Sequence, residues 1–229
     1  MRGKDLRRLP AGLARALLHD APARRHLGHW LRSLRSGSNP LEDPVPLVTY
    51  GALEWLEAHL DPDARVFEWG SGASTLYLAA RVGELVSVEH DPVWHHRVGA
   101  ALKERGIDGC RQVLAEPEPS GPETPPELVS GRRRWRGLSF ERYVASIDGH
   151  PEGHFDLVCV DGRQRVACGL RALSRIRPDG HLLLDNADRD DYAPLRTALA
   201  GCEVHDFDGL GPGQARPWRT TVWRIGGGG

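Results

Sequence analysis

The chain has 229 residues, 40% of them hydrophobic and 27% charged, with a net charge of −1; this is enough length for one domain with a full core, and the charge gives no general attraction to nucleic acid. Its four cysteines, Cys110, Cys159, Cys168 and Cys202, form no C-x-x-C pair, which argues against a disulfide framework or a cysteine zinc site. No apolar run approaches the roughly 20 residues of a membrane span, and the N-terminus has no apolar signal block, so a cytoplasmic protein is expected.

Residues 1–40 read as a basic helical segment ahead of a domain over 41–229. Up to residue 36, nine Lys/Arg face only Asp5 and Asp20, and Leu13, Leu17, Leu18, Leu27, Trp30, Leu31 and Leu34 recur at helical spacing. Such a segment can lie on the domain, make a homodimer contact, meet an acidic partner or membrane surface, or stay unfolded. After the Pro/Gly/Ser-rich "SGSNPLEDPVP", residues 47–60 read as an amphipathic helix with Leu53, Leu56 and Leu60 on one face, stopped at Asp61-Pro62. Strands are then predicted at 65–68, 85–89, 111–115, 155–160 and 181–185, with helices at 74–82, 92–105, 139–147, 164–176 and 191–200. The Pro-, Gly- and charge-rich stretch 117–138 interrupts this order and is expected to be an exposed, mobile insert beside the acceptor site. Strands near 202–207 and 219–225 have no helix between them and are expected to form an antiparallel hairpin. Repeated strand–helix units imply an α/β fold, a parallel sheet with helices on both faces.

The stretch "VFEWGSGASTLYLA" (66–79) carries the chemistry. A strand ends at Glu68, and a turn with Gly70 and Gly72 lets backbone approach a ligand without Cβ interference. The next strand ends about 20 residues on at Glu89, where a carboxylate can accept from two ribose hydroxyls. Together these indicate a nucleoside-containing cofactor. A dinucleotide fingerprint would need a third glycine or alanine where this chain has Thr75. Glu68 would repel a pyrophosphate and suit a cation, such as a sulfonium that also bears an ammonium group. S-adenosylmethionine fits both the charge and the ribose.

"FEWGSGASTLYLA" with "VSVEHDPVW" resembles the first two motifs of the class I S-adenosylmethionine-dependent methyltransferases. "FDLVCVDGRQRVACGLRAL", "RPDGHLLLDNADRDDY" and "TTVW" resemble a less-studied bacterial and plant branch of them. The resemblance covers roughly residues 45–225, leaving out 1–36 and the insert. It implies a Rossmann-like seven-stranded methyltransferase sheet with an antiparallel last strand. It also implies a cofactor site lined by Glu68, Gly70, Gly72, Ser74, Glu89 and His90, with Asp161 beside it.

Asp161, at the end of "FDLVCVD", is a candidate for the methionine or acceptor side, or an N-cap of the following helix. Arg163 can bind an anionic group or pair with Asp185. Asp161, Asp185 and Asn186 match the residue types that hold a divalent cation in catechol-type O-methyltransferases. Local arginines and simpler roles for each residue argue for no metal, with Asp161 and Asp185 as the catalytic pair. His90, His95, His96 and His154 are possible bases, and Trp69 and Trp94 can pack or stack on adenine. The expected activity is methyl transfer to a hydroxyl or amine of a small-molecule or glycan acceptor, with no nucleic acid and no membrane span. The alternatives are a non-catalytic cofactor-binding protein, a metal-dependent catechol-type enzyme and a nicotinamide oxidoreductase.

Overall fold

Short uninterrupted runs such as "FDLVCV" and "HLLLD" give strands that need cover on both faces, and this dictates the layers. The computed structural model describes residues 20–35 and 38–226. The first half of the basic segment, with Leu13, Leu17 and Leu18, lies outside the described residues. In chain order the elements are α1 (Ala21–Arg25), α2 (Leu27–Ser33), α3 (Tyr50–His59), β1 (Arg65–Trp69), α4 (Ala73–Ala79), β2 (Glu84–Glu89), α5 (Pro92–Glu104) and β3 (Cys110–Leu114). There follow β4 (Glu118–Pro119), β5 (Leu138–Ser139), α6 (Glu141–Ala145), β6 (Phe155–Val160), α7 (Arg165–Ala172), β7 (Ile176–Asp185), α8 (Ala193–Ala198), β8 (Glu203–Gly209) and β9 (Trp218–Arg224).

Seven strands form one sheet in the order β3-β2-β1-β6-β7-β9-β8. All pairs are parallel except those of β9, which runs antiparallel between β7 and β8. The expected final hairpin and α/β class are therefore observed. Alternate strand residues feed two cores: Val66, Leu85 and Leu157 pack with α3, α4 and α5 on one face, and Phe67, Val86 and Val158 with α6, α7 and α8 on the other. On the first face, α1 and α2 add cover to α3. Trp30 is fully buried and its indole N–H donates to the Gln214 carbonyl at 2.9 Å, while Asp20 caps α1 and accepts from the Leu210 N–H at 2.7 Å.

Most expected helices are shorter than their sequence pattern, two of them because strand residues intrude. The run 164–176 is helical only to Ala172, because Ile176 already belongs to β7; α6 spans five residues, because Leu138 and Ser139 pair with β4.

His181 opens a pH test. It sits half-buried at the start of the inner part of β7, edge-on to Trp55 at 4.9 Å, and burial pushes its imidazole down to about 4, with His59 and Arg224 adding to the effect. The folded state therefore holds the neutral ring, while the unfolded chain titrates near 6.5. Stability is full above about pH 6.5 and is lost as pH falls toward 4, by about 1–2 kcal/mol after allowing for partial solvent screening. Denaturant titrations at pH 7.5 and 5.0 should show this loss, and His181→Phe should reduce it.

Candidate functional site

Sheet order reverses between β1, which continues to β2 and β3, and β6, which leads the other way. Such a switch point leaves a crevice at the carboxyl ends of the strands. Two backbones pass so close there that neither leaves room for a Cβ. Gly70 has φ +99°, and a Cβ on it would lie 2.8 Å from the Gly162 backbone. A Cβ on Gly162 would lie 1.9 Å from the Tyr143 hydroxyl and 3.1 Å from the Gly70 nitrogen. The Gly70 N–H donates to the Val88 carbonyl at 2.9 Å and the Asp161 N–H to the Trp69 carbonyl at 3.0 Å, so both strand ends are pinned. Gly72 differs: its backbone is extended, and a Cβ would meet only the Trp94 indole nitrogen at 4.0 Å.

Beneath the turn lies Glu68, 1% exposed. Its Oε2 accepts from the Thr75 hydroxyl at 2.6 Å and the Ser87 hydroxyl at 2.7 Å, and Thr75 Oγ1 in turn accepts from the Gly72 N–H at 2.8 Å. Burial raises the Glu68 carboxyl; hydroxyls of Ser74, Thr75 and Ser87 oppose this, and the net shift is upward. Glu68 thus holds the turn through Thr75. Its Oε1 is buried and accepts from no described residue.

At the end of β2, Glu89 is 3% exposed. Its Oε1 accepts from the His90 and Asp91 N–H groups at 2.7 and 2.8 Å and lies 2.6 Å from His90 Nδ1. Among the described residues nothing donates to its Oε2. Asp91 then caps α5, accepting from the Val93 and Trp94 N–H groups with Pro92 at the first helical position. The Trp94 indole donates to the Ser71 carbonyl at 2.7 Å.

Of the expected site residues, Gly70, Glu89, His90 and Asp161 line one cavity of about 420 Å³; Glu68, Gly72, Ser74 and Asp185 are outside its wall. A wider depression of about 970 Å³ between residues 38–42 and α5 shares only Trp94 with it and has no glycine turn. The insert, expected beside the acceptor site, reaches this cavity. It folds into the β4–β5 ribbon with short helical turns, is pinned by the Gln164 amide donating to the Glu127 carbonyl at 2.6 Å, and puts Arg134 and Trp135 on the cavity wall. Trp135 stands edge-on to His90 at 5.1 Å, and Arg134 pairs with Asp91 at 2.7 Å. The insert therefore borders the Glu89 end.

Asp161 does not cap the following helix. Its carboxylate pairs with Arg165 at 2.7 Å, and α7 starts from Gln164, which has a left-handed backbone and no side-chain cap. Arg165 is the clip between strand ends: it also donates to the carbonyls of Asp161, Gly162 and Asp185, and lies 3.7 Å from Asp185 Oδ2. Asp185, 4% exposed, accepts from Trp218 at 2.7 Å and Thr220 at 2.9 Å through Oδ1. Burial raises both carboxyls and Arg165 opposes it; Asp185 also lifts Asp161, while Trp218 and Thr220 help to hold Asp185 down. Asn186 Oδ1 accepts from Arg165 and Arg189. The three possible cation ligands thus all face arginine. Arg163 does not pair with Asp185; its Nε points to His90 Nε2 at 3.4 Å.

The other candidates scatter. His95 and His96 lie along α5 outside the cavity wall, and His154 is at the amino-terminal end of β6 beside Glu84. Trp69 is fully buried, donating to the Tyr143 carbonyl at 2.8 Å. Of the four histidines only His90 reaches the cavity, and Trp94 lines it as well.

No protein-family model matches this sequence, and no curated relative matches it. Solved structures do. An rRNA methylase from Streptococcus thermophilus is similar over 77% of this chain and 95% of its own, at 11% identity and a TM-score of 0.53. A candidate methyltransferase from Streptococcus mutans, solved with S-adenosylhomocysteine, covers 75% and 94%, at 10% identity and a TM-score of 0.51. The fold is that of the class I methyltransferases. A precorrin-6y C5,15-methyltransferase from Geobacter metallireducens, at 14% identity and a TM-score of 0.51, covers 76% and 86% with the same fold. Within the methyltransferase fold, sequence reasoning missed Arg134, Trp135, Gly162 and the Thr75–Ser87 support. The aromatic inside "GRRRWRG" and the glycine after "CVD" were the available signals.

Proposed function

We propose that the protein is an S-adenosylmethionine-dependent methyltransferase acting on a hydroxyl or amine of a small metabolite or glycan. The observation that carries this reading is Glu89. Its Oε1 is tied down by two N–H groups, its Oε2 is uncommitted, and it shares a cavity wall with the Gly70 turn. The residues present fit the cofactor: the acid matches a ribose, the Gly70–Ser71 turn and Gly162 border the same cavity, and the volume is within the range of small-molecule sites.

When bound, the cofactor supplies an electrophilic methyl group. The chain's part is to position and to move a proton. Glu89 would accept from the ribose hydroxyls, and His90 with Trp135 would wall the nucleobase. Glu68 acts as a positioning residue that sets the turn through Thr75. Asp161, whose raised carboxyl borders the cavity, takes the acceptor's proton. Asp185, enclosed by Arg165, Trp218 and Thr220, positions Asp161 through Arg165 rather than touching the acceptor, and no metal is required.

The test is calorimetry with S-adenosylhomocysteine. Micromolar binding is expected, weakened about 1–3 kcal/mol by Glu89→Ala through lost charge-assisted hydrogen bonds. An absence of heat, or tighter binding of NAD, overturns the reading. A second reading, methylation of RNA, is favoured by the exposed Arg132, Arg133 and Arg136 beside the cavity-lining Arg134. A cofactor-consumption screen over small hydroxyl and amine acceptors, glycans and RNA separates the two, and a binding protein without chemistry consumes nothing in any arm.

A further inference from the structure

At the opposite end of the strands lies a second constellation that methyl transfer does not use. Glu84 begins β2, His154 immediately precedes β6, and His150 sits in the turn after α6. One ligand atom from each lies within 4.8 Å of the other two. His154 Nε2 is buried with no hydrogen-bond partner, 3.5 Å from Glu84 Oε2. Packing holds both rings: His150 lies 4.8 Å from Phe155 and 6.0 Å from Phe67, and His154 lies 4.7 Å from Phe155.

We propose that Glu84, His150 and His154 bind a zinc ion at this amino-terminal edge, with a fourth position left to water. Two imidazoles and one carboxylate form a donor set that zinc favours. Tetrahedral bonds of about 2.0–2.1 Å bring ligand atoms to roughly 3.3 Å from one another. Closing to that spacing falls to Glu84, whose side chain is 42% exposed and free to swing.

The surrounding charges decide whether the ligands are ready. Arg111, exposed on β3, has its Nη2 2.6 Å from His150 Nε2. A guanidinium can only donate, so that nitrogen presents a lone pair. Arg111 is the competitor that a dication must displace. Since β1 lies between β2 and β6, a shared ion would tie β1's two neighbours together. Its role is structural and independent of the cavity.

The test uses the full chain, stripped with chelator and titrated with Zn²⁺ against a chromogenic competitor. Expected are one equivalent bound in the low micromolar range or tighter, a higher melting temperature with zinc, and no response to Mg²⁺. His150→Ala and His154→Ala should abolish binding. Glu84→Gln, at an exposed position that the fold tolerates, should weaken it at least about tenfold. Arg111→Ala should tighten it severalfold, which a fortuitous surface histidine would not do. S-adenosylhomocysteine affinity should be the same with and without zinc. Failure to bind one equivalent, binding that survives loss of both histidines, or weaker binding in Arg111→Ala would overturn the proposal.

Discussion

Gly162→Ala is expected to cost the fold about 1–3 kcal/mol through overpacking and to lower S-adenosylhomocysteine affinity at least a hundredfold. The new methyl would sit 1.9 Å from the Tyr143 hydroxyl and 3.1 Å from the Gly70 nitrogen. Neither neighbour can yield cheaply, because Tyr143 is fully buried and the Gly70 N–H is bonded to Val88. A shift of the 161–163 loop away from β1 would open the junction on which the cavity is built. The Tyr143 hydroxyl is itself buried without a hydrogen-bond partner, so Tyr143→Phe alone should be nearly neutral. The double variant Gly162→Ala/Tyr143→Phe should recover part of both losses. Urea unfolding and calorimetry on the four proteins measure this, and additive losses with no recovery would show that the hydroxyl is not what the methyl strikes.

Arg165→Met should destabilise the protein by about 3–5 kcal/mol at neutral pH, since it leaves two enclosed carboxylates without their cation. Asp185 is 4% exposed; Asp161, at 30%, keeps some water and bears less of the cost. The deficit should depend on pH in a definite direction. Both carboxyls already lie above the unfolded value of about 3.9, and losing Arg165 raises them further. A folded state that holds protons more tightly than the unfolded chain gains stability as pH falls. The gap between variant and parent should therefore be widest near pH 8 and narrow toward pH 5. Adding Asp185→Asn to the variant should recover stability at pH 8 and do little at pH 5. A gap that is flat with pH would mean that only packing was lost.

The strands, the glycine turn and Glu89 were legible because each is local. A strand such as "FDLVCV" announces burial on both faces by its own composition, and Gly70 announces a positive φ by needing no Cβ. The partner of Asp161 was not legible in the same way. Two arginines stand near it in sequence, and choosing Arg165 over Arg163 depends on the left-handed Gln164 that starts α7. Trp135 was less legible still. Nothing within "GRRRWRG" tells how the β4–β5 ribbon folds back, so a side chain 45 positions from His90 could not be placed against it. Glu68 was read by its charge alone, as a ligand for a cation. Its environment, two hydroxyls beneath the turn, depends on Ser87 from the neighbouring strand, which only the β1–β2 register brings into line.

The pairing of β1 with β6 has a kinetic meaning. β1 meets β2 after one short helix, but its bond to Asp161 joins positions about ninety residues apart, a loop closure whose entropic cost must be met before any contact rewards it. The Gly70–Gly162 junction cannot exist until that closure is made. Intermediates holding only β1, β2 and β3 would carry Glu68, the turn and Glu89, yet lack one wall of the cavity. In a refolding experiment, ligand capture should therefore lag behind the first gain of secondary structure, marking the moment at which the two halves of the sheet zip together.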